Sequence, residues 1–360
     1  MKPQSDLVYR GHPQGSDENG LLWLTDHLEN QPLSDEETQL MQDLKEVAEV
    51  EENALMKFIE RPDMQILARA AASDPEKWRF ESDDPSAVLK TPNLTERLYY
   101  RGLIGVYLVR NGQLDLGEEF LVGNLNIAEG FLQCRGGSVG YIAGCALVQF
   151  SWEDIEDGWA LLPLETKARL LPRLLAHDAV IQAACVNAWK WENRWAQSVL
   201  KNTAEDNPPK SFRDKFLGFQ PNRTRNEVAN YWRSVIAHFE EPLDSAPSPL
   251  TMIPDTQWDK AKMYLDGNAV GSILQMMLEI KMGNLQGTHG RSIARSRTLA
   301  CLAALELASR DQRVESLDQL VPEYFPTVPR NPFTGAPLEI ADIRPVNPHE
   351  QELATSASAN

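Results

Sequence analysis

The residue with the clearest catalytic motif is Ser138. It lies in the segment Gly-Gly-Ser-Val-Gly at 136–140, which fits the G-x-S-x-G pattern of serine hydrolases. That chemistry needs a strand before the serine, because a strained strand-to-helix turn lifts the hydroxyl toward a base. The residues before this segment have a helical pattern, so we expect the glycines to end one helix and Ser138 to cap the next.

Tryptophans and acidic residues form a second candidate site. The chain has nine tryptophans, and four of them are grouped at positions 189, 191, 195 and 232. Aromatic side chains beside paired carboxylates would suit a glycan-cleaving groove, and the candidate acids are Glu118, Glu119 and Glu192. The alternative is that the indoles fill the space between helices while the acids face water. We favour this packing and keep a helical-toroid glycan hydrolase as the second hypothesis for function.

A basic, aromatic segment at 207–225 contrasts with the acidic character of the chain. Cationic side chains are interleaved there with phenylalanines, and the candidate partner-binding residues are Lys210, Phe212, Arg213, Lys215, Phe216, Arg223 and Arg225. Such a loop suits an acidic protein partner. The alternative is an ordinary connection whose phenylalanines enter the core.

A glycine-rich segment at 283–290 precedes a helix that we expect to open with Arg291 and Arg295. The segment lacks the Lys-Ser/Thr pair of a phosphate-binding P-loop. Cations in the first turn oppose the helix dipole, so we expect an acidic group to compensate them. An aspartate or glutamate of the chain is the first interpretation, and an anion bound at Gly290, Arg291 and Arg295 is the alternative.

The spacing of histidines and cysteines predicts no metal site and no cofactor. The six histidines show no ligand spacing, and the four cysteines contain no C-x-x-C pair. We therefore expect four buried free thiols. His177 precedes Asp178, which we interpret as an N-cap or first-turn acid of a helix and not as half of an acid–base pair.

The charge distribution argues against nucleic acid as a partner. The net charge is −17, and residues 1–178 hold 31 of the 52 acidic residues but 16 of the 35 basic ones. An acidic surface repels phosphate backbones.

The N-terminus has no signal-peptide pattern, and the longest apolar run, 139–150, is shorter than the roughly 20 residues of a membrane helix. We expect a soluble chain, cytoplasmic or exported, and leave its oligomeric state open.

Hydrophobic periodicity predicts an all-α fold of compact, antiparallel helices. A capping box at Ser34 and Glu37 opens the first helix, which we expect to run to Ile59. Two antiparallel helices are predicted over 94–131, with a turn at Gly112. Further helices are expected at 64–72, 139–150, 164–176, 178–201, 226–240, 256–282 and 291–310. The predicted organisation is a loose segment at 1–33, a multi-helix body at 34–285, a C-terminal helix with a Pro-rich turn module at 286–345, and a disordered tail at 346–360.

The Pro-rich module contains Leu-Val-Pro-Glu-Tyr-Phe at 320–325 and Asn-Pro-Phe-Thr-Gly-Ala-Pro-Leu at 331–338. It resembles the end of a group of uncharacterised, often exported bacterial helical proteins, and the turn that closes the globular part of type II secretion pseudopilins. That group has no established activity, so the resemblance implies a structural element and no reaction. Asn331 stands where the pattern has aspartate, and Ile340 where it has tyrosine. These departures weaken the calcium site that pseudopilins can hold near this turn.

We interpret the module as a clasp in which five apolar side chains cover the final helix, namely Leu317, Leu320, Val321, Phe325 and Phe333. The pattern Asn-Pro-x-x-Gly at 331–335 favours a turn, and Leu338 and Ile340 alternate as a short strand would. Because no motif points convincingly to catalysis, the leading hypothesis for function is a non-enzymatic binding or scaffolding protein.

Overall fold

The computed structural model describes residues 20, 21, 24, 28, 31–46, 48, 50–78, 94–134, 137–206, 220–240, 283–310 and 313–343. Ten α-helices lie within these residues. None of the described residues belongs to a β-strand, and a single isolated bridge joins Arg330 to Pro337. The predicted all-α class is confirmed.

Three helices form the N-terminal part, α1 (Asp35–Lys45), α2 (Glu52–Ile59) and α3 (Pro62–Ala71). The predicted capping box is confirmed. Ser34 Oγ accepts a hydrogen bond from the Glu37 N–H at 3.2 Å, and Glu37 Oε2 accepts one from the Ser34 N–H at 2.8 Å. The prediction of one helix up to Ile59 is wrong, because Glu51 has an extended backbone and divides the segment into α1 and α2.

The next two helices, α4 (Leu94–Arg110) and α5 (Leu114–Gln133), form the predicted antiparallel pair. The chain turns at Gly112, whose φ of +79° is readily adopted only by glycine. The helices approach closely at Gly117, where a Cβ would lie 2.8 Å from the backbone nitrogen of Val109. The pair therefore depends on glycine at its turn and at its closest contact.

Four further helices complete the body, α6 (Gly137–Gly158), α7 (Leu164–Asp206), α8 (Pro221–Glu240) and α9 (Gly283–Ala308). Helix α7 packs against α5, α6, α8 and α9. It runs unbroken past Pro172 and His177, so the two helices predicted at 164–176 and 178–201 are one. Asp178 is therefore not an N-cap; its carboxylate pairs with Arg297 of α9 at 2.6 Å.

The Pro-rich module covers α9 largely as predicted. A 3₁₀ turn at Leu317–Leu320 and α10 (Ile340–Ile343) pack against that helix. Leu317, Leu320 and Phe325 are buried, and Val321 packs on the core, so the clasp is confirmed for these four side chains. The prediction is wrong for Phe333, which is 44% exposed.

The Asn-Pro-x-x-Gly turn is confirmed. Asn331 Oδ1 accepts a hydrogen bond from the Phe333 N–H at 2.9 Å, and Gly335 has a φ of +71°. The short strand predicted at Leu338 and Ile340 does not form, because Ile340 begins α10.

One hydrophobic core connects the described elements, from Leu21 to Ile343. Leu21, Leu24 and Leu28 are buried, although they fall in the segment predicted to be loose. All four cysteines are buried free thiols, as predicted. The predicted helix at 256–282 and the predicted tail at 346–360 lie outside the described residues. Of the helices described, none has the length and apolar character to cross a membrane.

Candidate functional site

Two arginines on α4 point into the protein. Arg97 and Arg101 are four residues apart, so their side chains lie on the same side of the helix. Arg97 is 2% exposed and Arg101 is 1% exposed. Arginine is almost never fully buried unless it is paired. The roles of these two side chains therefore depend on the partners that each one finds.

Arg97 has a carboxylate partner. Its Nε lies 3.1 Å from Oδ2 of Asp63 on α3, and its Nη2 donates to the backbone oxygen of Gln31. Asp63 is itself buried and also pairs with Arg61 at 3.0 Å. The charge of Arg97 is thus neutralised inside the protein, and the pair ties α4 to α3.

Arg101 has no such partner, since no carboxylate oxygen of a described residue lies within 4.0 Å of its guanidinium group. Its Nη2 reaches the backbone oxygen of Glu119 at 3.4 Å, and its Nε has no hydrogen-bond partner in the described part of the chain. The guanidinium carbon lies 4.2 Å from the ring centroid of Phe120, a cation–π contact. Burial lowers the pKa of Arg101 to about 10, partly opposed by the charge of Glu119, so the group stays charged at neutral pH.

A cavity of about 410 Å³ opens over Arg101, between α3, α4, α5 and α7. Ala68 and Ala71 of α3 form a wall of small side chains. The polar residues of the lining are Arg101, Asp115, Glu118, Glu119, Asn126 and Arg169. Pockets for small molecules usually measure roughly 300–1,000 Å³, so this one has the volume of a ligand site. We call it the Arg101 pocket.

Gly123 leaves room for the guanidinium group of Arg101 at the inner end of the pocket. A Cβ at this position would stand 2.7 Å from Arg101 Nη2 and 3.0 Å from the Cβ of Ala71. A Cβ atom does not approach a non-bonded heavy atom to less than 3.0 Å, so any side chain here would displace the guanidinium group. The sequence therefore keeps the pocket open at the point where its charge is deepest.

The three carboxylates of the pocket are not equivalent. Glu118 accepts a hydrogen bond from the buried Thr166 Oγ1 at 2.5 Å and pairs with Arg169, so its charge is compensated within the wall. Asp115 and Glu119 are exposed, and neither has a described cation within 4.0 Å. The pocket thus combines one buried positive charge at its inner end with two exposed carboxylates, and no direct ion pair joins them among the described residues. The charge of Glu119 still acts on Arg101 over a longer distance and partly opposes the lowering of its pKa.

This arrangement can bind a charged small molecule through a guanidinium group that is already positioned. A guanidinium offers several N–H donors in a fixed plane, which match the oxygens of a carboxylate or phosphate. Among the described residues of the lining there is no histidine, cysteine or serine. The described lining therefore offers recognition groups for an anion, and its carboxylates are the side chains that could act as a base.

Ser138, the serine of the Gly-Gly-Ser-Val-Gly motif, lies in the first turn of α6. Its N–H donates to Glu192 Oε1 at 2.9 Å. The prediction that Ser138 caps this helix is wrong, because Glu192 supplies the carboxylate that caps the first turn. Neither residue lines the Arg101 pocket.

Glu118 and Glu119 line the same pocket, but Glu192 lies far from them. Glu118 contacts Thr166 near the start of α7, and Glu192 lies 26 residues further along that helix. At a rise of 1.5 Å per residue this corresponds to about 39 Å. Glu192 and Glu118 are therefore too far apart for the paired carboxylates of a glycosidase.

The grouped tryptophans lie in the core and not along an open groove. Trp189 and Trp232 stack with ring centroids 5.8 Å apart, and both are fully buried. Trp191 is also buried and packs against Gly137, and Trp195 is half-buried against the core. This is the packing that we favoured over a sugar-binding groove.

Most of the predicted partner-binding segment lies outside the described residues, including Lys210, Phe212, Arg213, Lys215 and Phe216. The two described members make contacts within the chain. Arg223 pairs with Glu227 at 2.8 Å, and Arg225 Nε donates to Gln197 Oε1 at 3.0 Å. A partner at this segment stays a prediction.

A bound anion at Gly290, Arg291 and Arg295 was the alternative interpretation, and it assumed that a helix begins at Arg291. Helix α9 begins at Gly283, so these residues lie beyond its first turn. Arg295 pairs with Glu153 and, at 3.2 Å, with Glu156 of α6. The first interpretation, an acid of the same chain, is therefore confirmed for Arg295.

A buried polar group between α6, α7 and α9 was not predicted. His177 Nε2 and Ser292 Oγ are 3.0 Å apart, and His289 Nδ1 and the Tyr141 hydroxyl are 2.5 Å apart. Burial lowers the pKa of His177 to about 4 and that of His289 to about 3, so both imidazoles are neutral at pH 7. These contacts join residues that are far apart in the sequence, so no short motif predicts them.

Arg101 does not belong to a recognisable motif either, but its position in the helical pattern indicates that it is buried. Arg97 and Arg101 fall on the stripe of α4 that also carries Leu94, Leu98 and Leu108, all of them buried. A charged residue on an apolar stripe must find a partner or serve a ligand.

The residues that the structure describes contain no group of three or more His, Cys, Asp or Glu side chains suited to a metal ion. No family model, curated protein or solved structure matches this chain.

Proposed function

We propose that this protein is a non-enzymatic binding protein whose ligand occupies the Arg101 pocket. The observation that carries the proposal is the buried, charged guanidinium group of Arg101, which has no carboxylate partner among the described residues. Burying a charge without a partner destabilises a protein. A ligand that supplies the missing negative charge would remove this penalty, and its binding would be favoured for that reason.

The proposal is tested by thermal unfolding of the full chain with acetate, butyrate, 4-aminobutyrate and inorganic phosphate. A compound that binds the native state raises the unfolding temperature. We expect at least one of these four compounds to do so in the wild type and not in Arg101→Met. Arg110→Met is the matched control, since Arg110 lies on the same helix, is exposed and is outside the pocket. The proposal fails if none of the four compounds stabilises the wild type, or if Arg101→Met responds equally.

A glycan hydrolase remains the second hypothesis, and variants of two glutamates of the pocket distinguish it from the binding protein. If the pocket cleaved glycosides, incubation with polysaccharides would release reducing ends, and Glu118→Gln and Glu119→Gln would abolish this release. We expect no release with the wild type. Turnover that depends on these glutamates would overturn the binding proposal.

A further inference from the structure

Resting on the proposed function, we propose that the ligand of the Arg101 pocket is a small zwitterion, an amino acid or ω-amino acid that carries one carboxylate and one ammonium group. In this arrangement the carboxylate contacts Arg101 at the inner end, and the ammonium group faces the carboxylates nearer to solvent.

The inner end of the pocket selects for a carboxylate. The guanidinium of Arg101 is held by the Phe120 ring at 4.2 Å and by one long bond to the backbone oxygen of Glu119, which leaves donor groups unused. Its Nε has no partner among the described residues. A carboxylate can accept two parallel hydrogen bonds from such a group.

The outer part of the pocket selects for a cation. Asp115 and Glu119 are exposed there, without a described cation within 4.0 Å of either. Arg169 is already paired with Glu118, and Asp115 and Glu119 have no ion pair among the described residues. The pocket is therefore positive at the inner end and negative toward solvent. A zwitterion with its carboxylate inward matches both charges.

The same charges disfavour phosphate. A phosphate dianion at Arg101 would leave one negative charge uncompensated and would be repelled by Asp115 and Glu119. The lining also includes Ala68, Ala71 and Val122, whose apolar side chains suit the short aliphatic spacer of such a molecule. A volume of about 410 Å³ accommodates such a molecule.

The test is isothermal titration calorimetry of the full chain with butyrate, 4-aminobutyrate, butylamine and inorganic phosphate. These probes present the carboxylate alone, both charges, the cation alone and a multivalent anion. We expect 4-aminobutyrate to bind at least about tenfold more tightly than the other three, a difference of the size that a favourable ionic contact provides. Arg101→Met should bind none of the three probes that carry a carboxylate or phosphate group measurably.

The double variant Asp115→Asn with Glu119→Gln tests the outer carboxylates. It should reduce the preference for 4-aminobutyrate over butyrate to less than about threefold, because only the outer attraction is removed. Glu165→Gln is the control, since Glu165 is an exposed acid near the start of α7 and outside the pocket. It should leave the preference unchanged.

The outcomes separate this inference from the proposed function. If butyrate or phosphate binds as tightly as 4-aminobutyrate and requires Arg101, the proposal of a zwitterionic ligand is wrong, but the proposal of a binding site at Arg101 is supported. The proposal of a zwitterionic ligand is also wrong if the double variant keeps the full preference for 4-aminobutyrate over butyrate. If no probe binds, or if 4-aminobutyrate still binds to Arg101→Met, both proposals fail.

Discussion

Arg97 and Arg101 are separated by one turn of α4 and are equally buried, but their surroundings differ. Arg97 contacts Asp63 at 3.1 Å, whereas Arg101 contacts an aromatic ring, one backbone oxygen and a cavity. The same type of side chain thus serves two purposes on one helix. Arg97 contributes to the fold, and Arg101 is held in a charged state that the fold does not neutralise.

The comparison shows why burial alone does not identify a functional residue. A buried charge with its partner is a structural contact, even though it was costly to desolvate. A buried charge without a partner lowers stability unless something outside the chain compensates it. The distinction depends on the whole set of neighbours, and it predicts opposite effects for two similar substitutions.

The largest expected effect is on stability when Arg97 is replaced. Arg97→Met leaves Asp63 buried with Arg61 as its remaining partner. Breaking a buried ion pair usually costs about 3–5 kcal/mol, so we expect a loss of about 3 kcal/mol in the free energy of unfolding. Urea unfolding followed by circular dichroism measures it. A double-mutant cycle with Asp63→Asn should show strong coupling, and a loss below about 1 kcal/mol would mean that the pair is not structural.

A second prediction concerns the pH dependence of stability, to which His177 and Asp154 should contribute. Both side chains are uncharged inside the protein at a suitable pH, whereas the two arginines stay charged. The pKa of His177 is lowered to about 4, so the unfolded chain binds a proton between pH 6.5 and pH 4 that the folded chain does not. Stability should therefore fall as the pH decreases through this range. One pKa unit corresponds to about 1.4 kcal/mol, which gives a loss of up to roughly 3 kcal/mol from this group.

His177→Gln should remove this part of the pH dependence, as measured by urea unfolding at pH 7 and pH 4.5. Asp154 acts in the opposite direction, because burial raises its pKa to about 8 and its folded form gains stability as the pH falls from 8 toward 4. Asp154→Asn is the matched comparison and should steepen the acid loss. Identical pH profiles for wild type and His177→Gln would contradict the prediction.

A smaller effect is expected at Gly123, beside the Arg101 pocket. Gly123→Ala places a methyl group 2.7 Å from Arg101 Nη2 and should displace the guanidinium group. We expect affinity for 4-aminobutyrate to fall by about tenfold, with a loss of about 1–2 kcal/mol in stability from the added volume. Calorimetry measures the affinity, and urea unfolding measures the stability.

Gly158→Ala is the control for this substitution. The nearest atom to a Cβ at Gly158 lies at 3.4 Å, an ordinary contact, and this glycine does not line the pocket. It should leave the affinity unchanged. Equal affinities of Gly123→Ala and wild type would show that the inner end of the pocket is not where the ligand binds.

The sequence predicted local features well. The α4–α5 pair follows from apolar periodicity and from Gly112, and the capping box follows from Ser34 and Glu37. The turn at Asn331 follows from its Asn-Pro-x-x-Gly pattern. Each of these features is decided by residues within a few positions of one another, so the local chemistry is sufficient.

Features decided by distant residues could not be predicted. Asp178 was assigned to a helix start because its true partner, Arg297, is 119 residues away. The sequence does not distinguish Arg97 from Arg101. The partner of Arg97, Asp63, lies on another helix, and the walls of the pocket beside Arg101 come from α3, α5 and α7. The resemblance of the Pro-rich module to exported helical proteins and pseudopilins also stays a prediction, and it bears on the clasp rather than on the pocket.

The most direct test of the account is the free energy of unfolding of Arg101→Met, measured by urea unfolding without added ligand. Methionine keeps much of the aliphatic volume and removes a charge whose burial without an ion-pair partner is costly. We predict a stability within about 1 kcal/mol of wild type or above it, in contrast to Arg97→Met. A loss of about 3 kcal/mol or more, equal to that of Arg97→Met, would show that Arg101 supports the fold as Arg97 does and would contradict its assignment to a ligand.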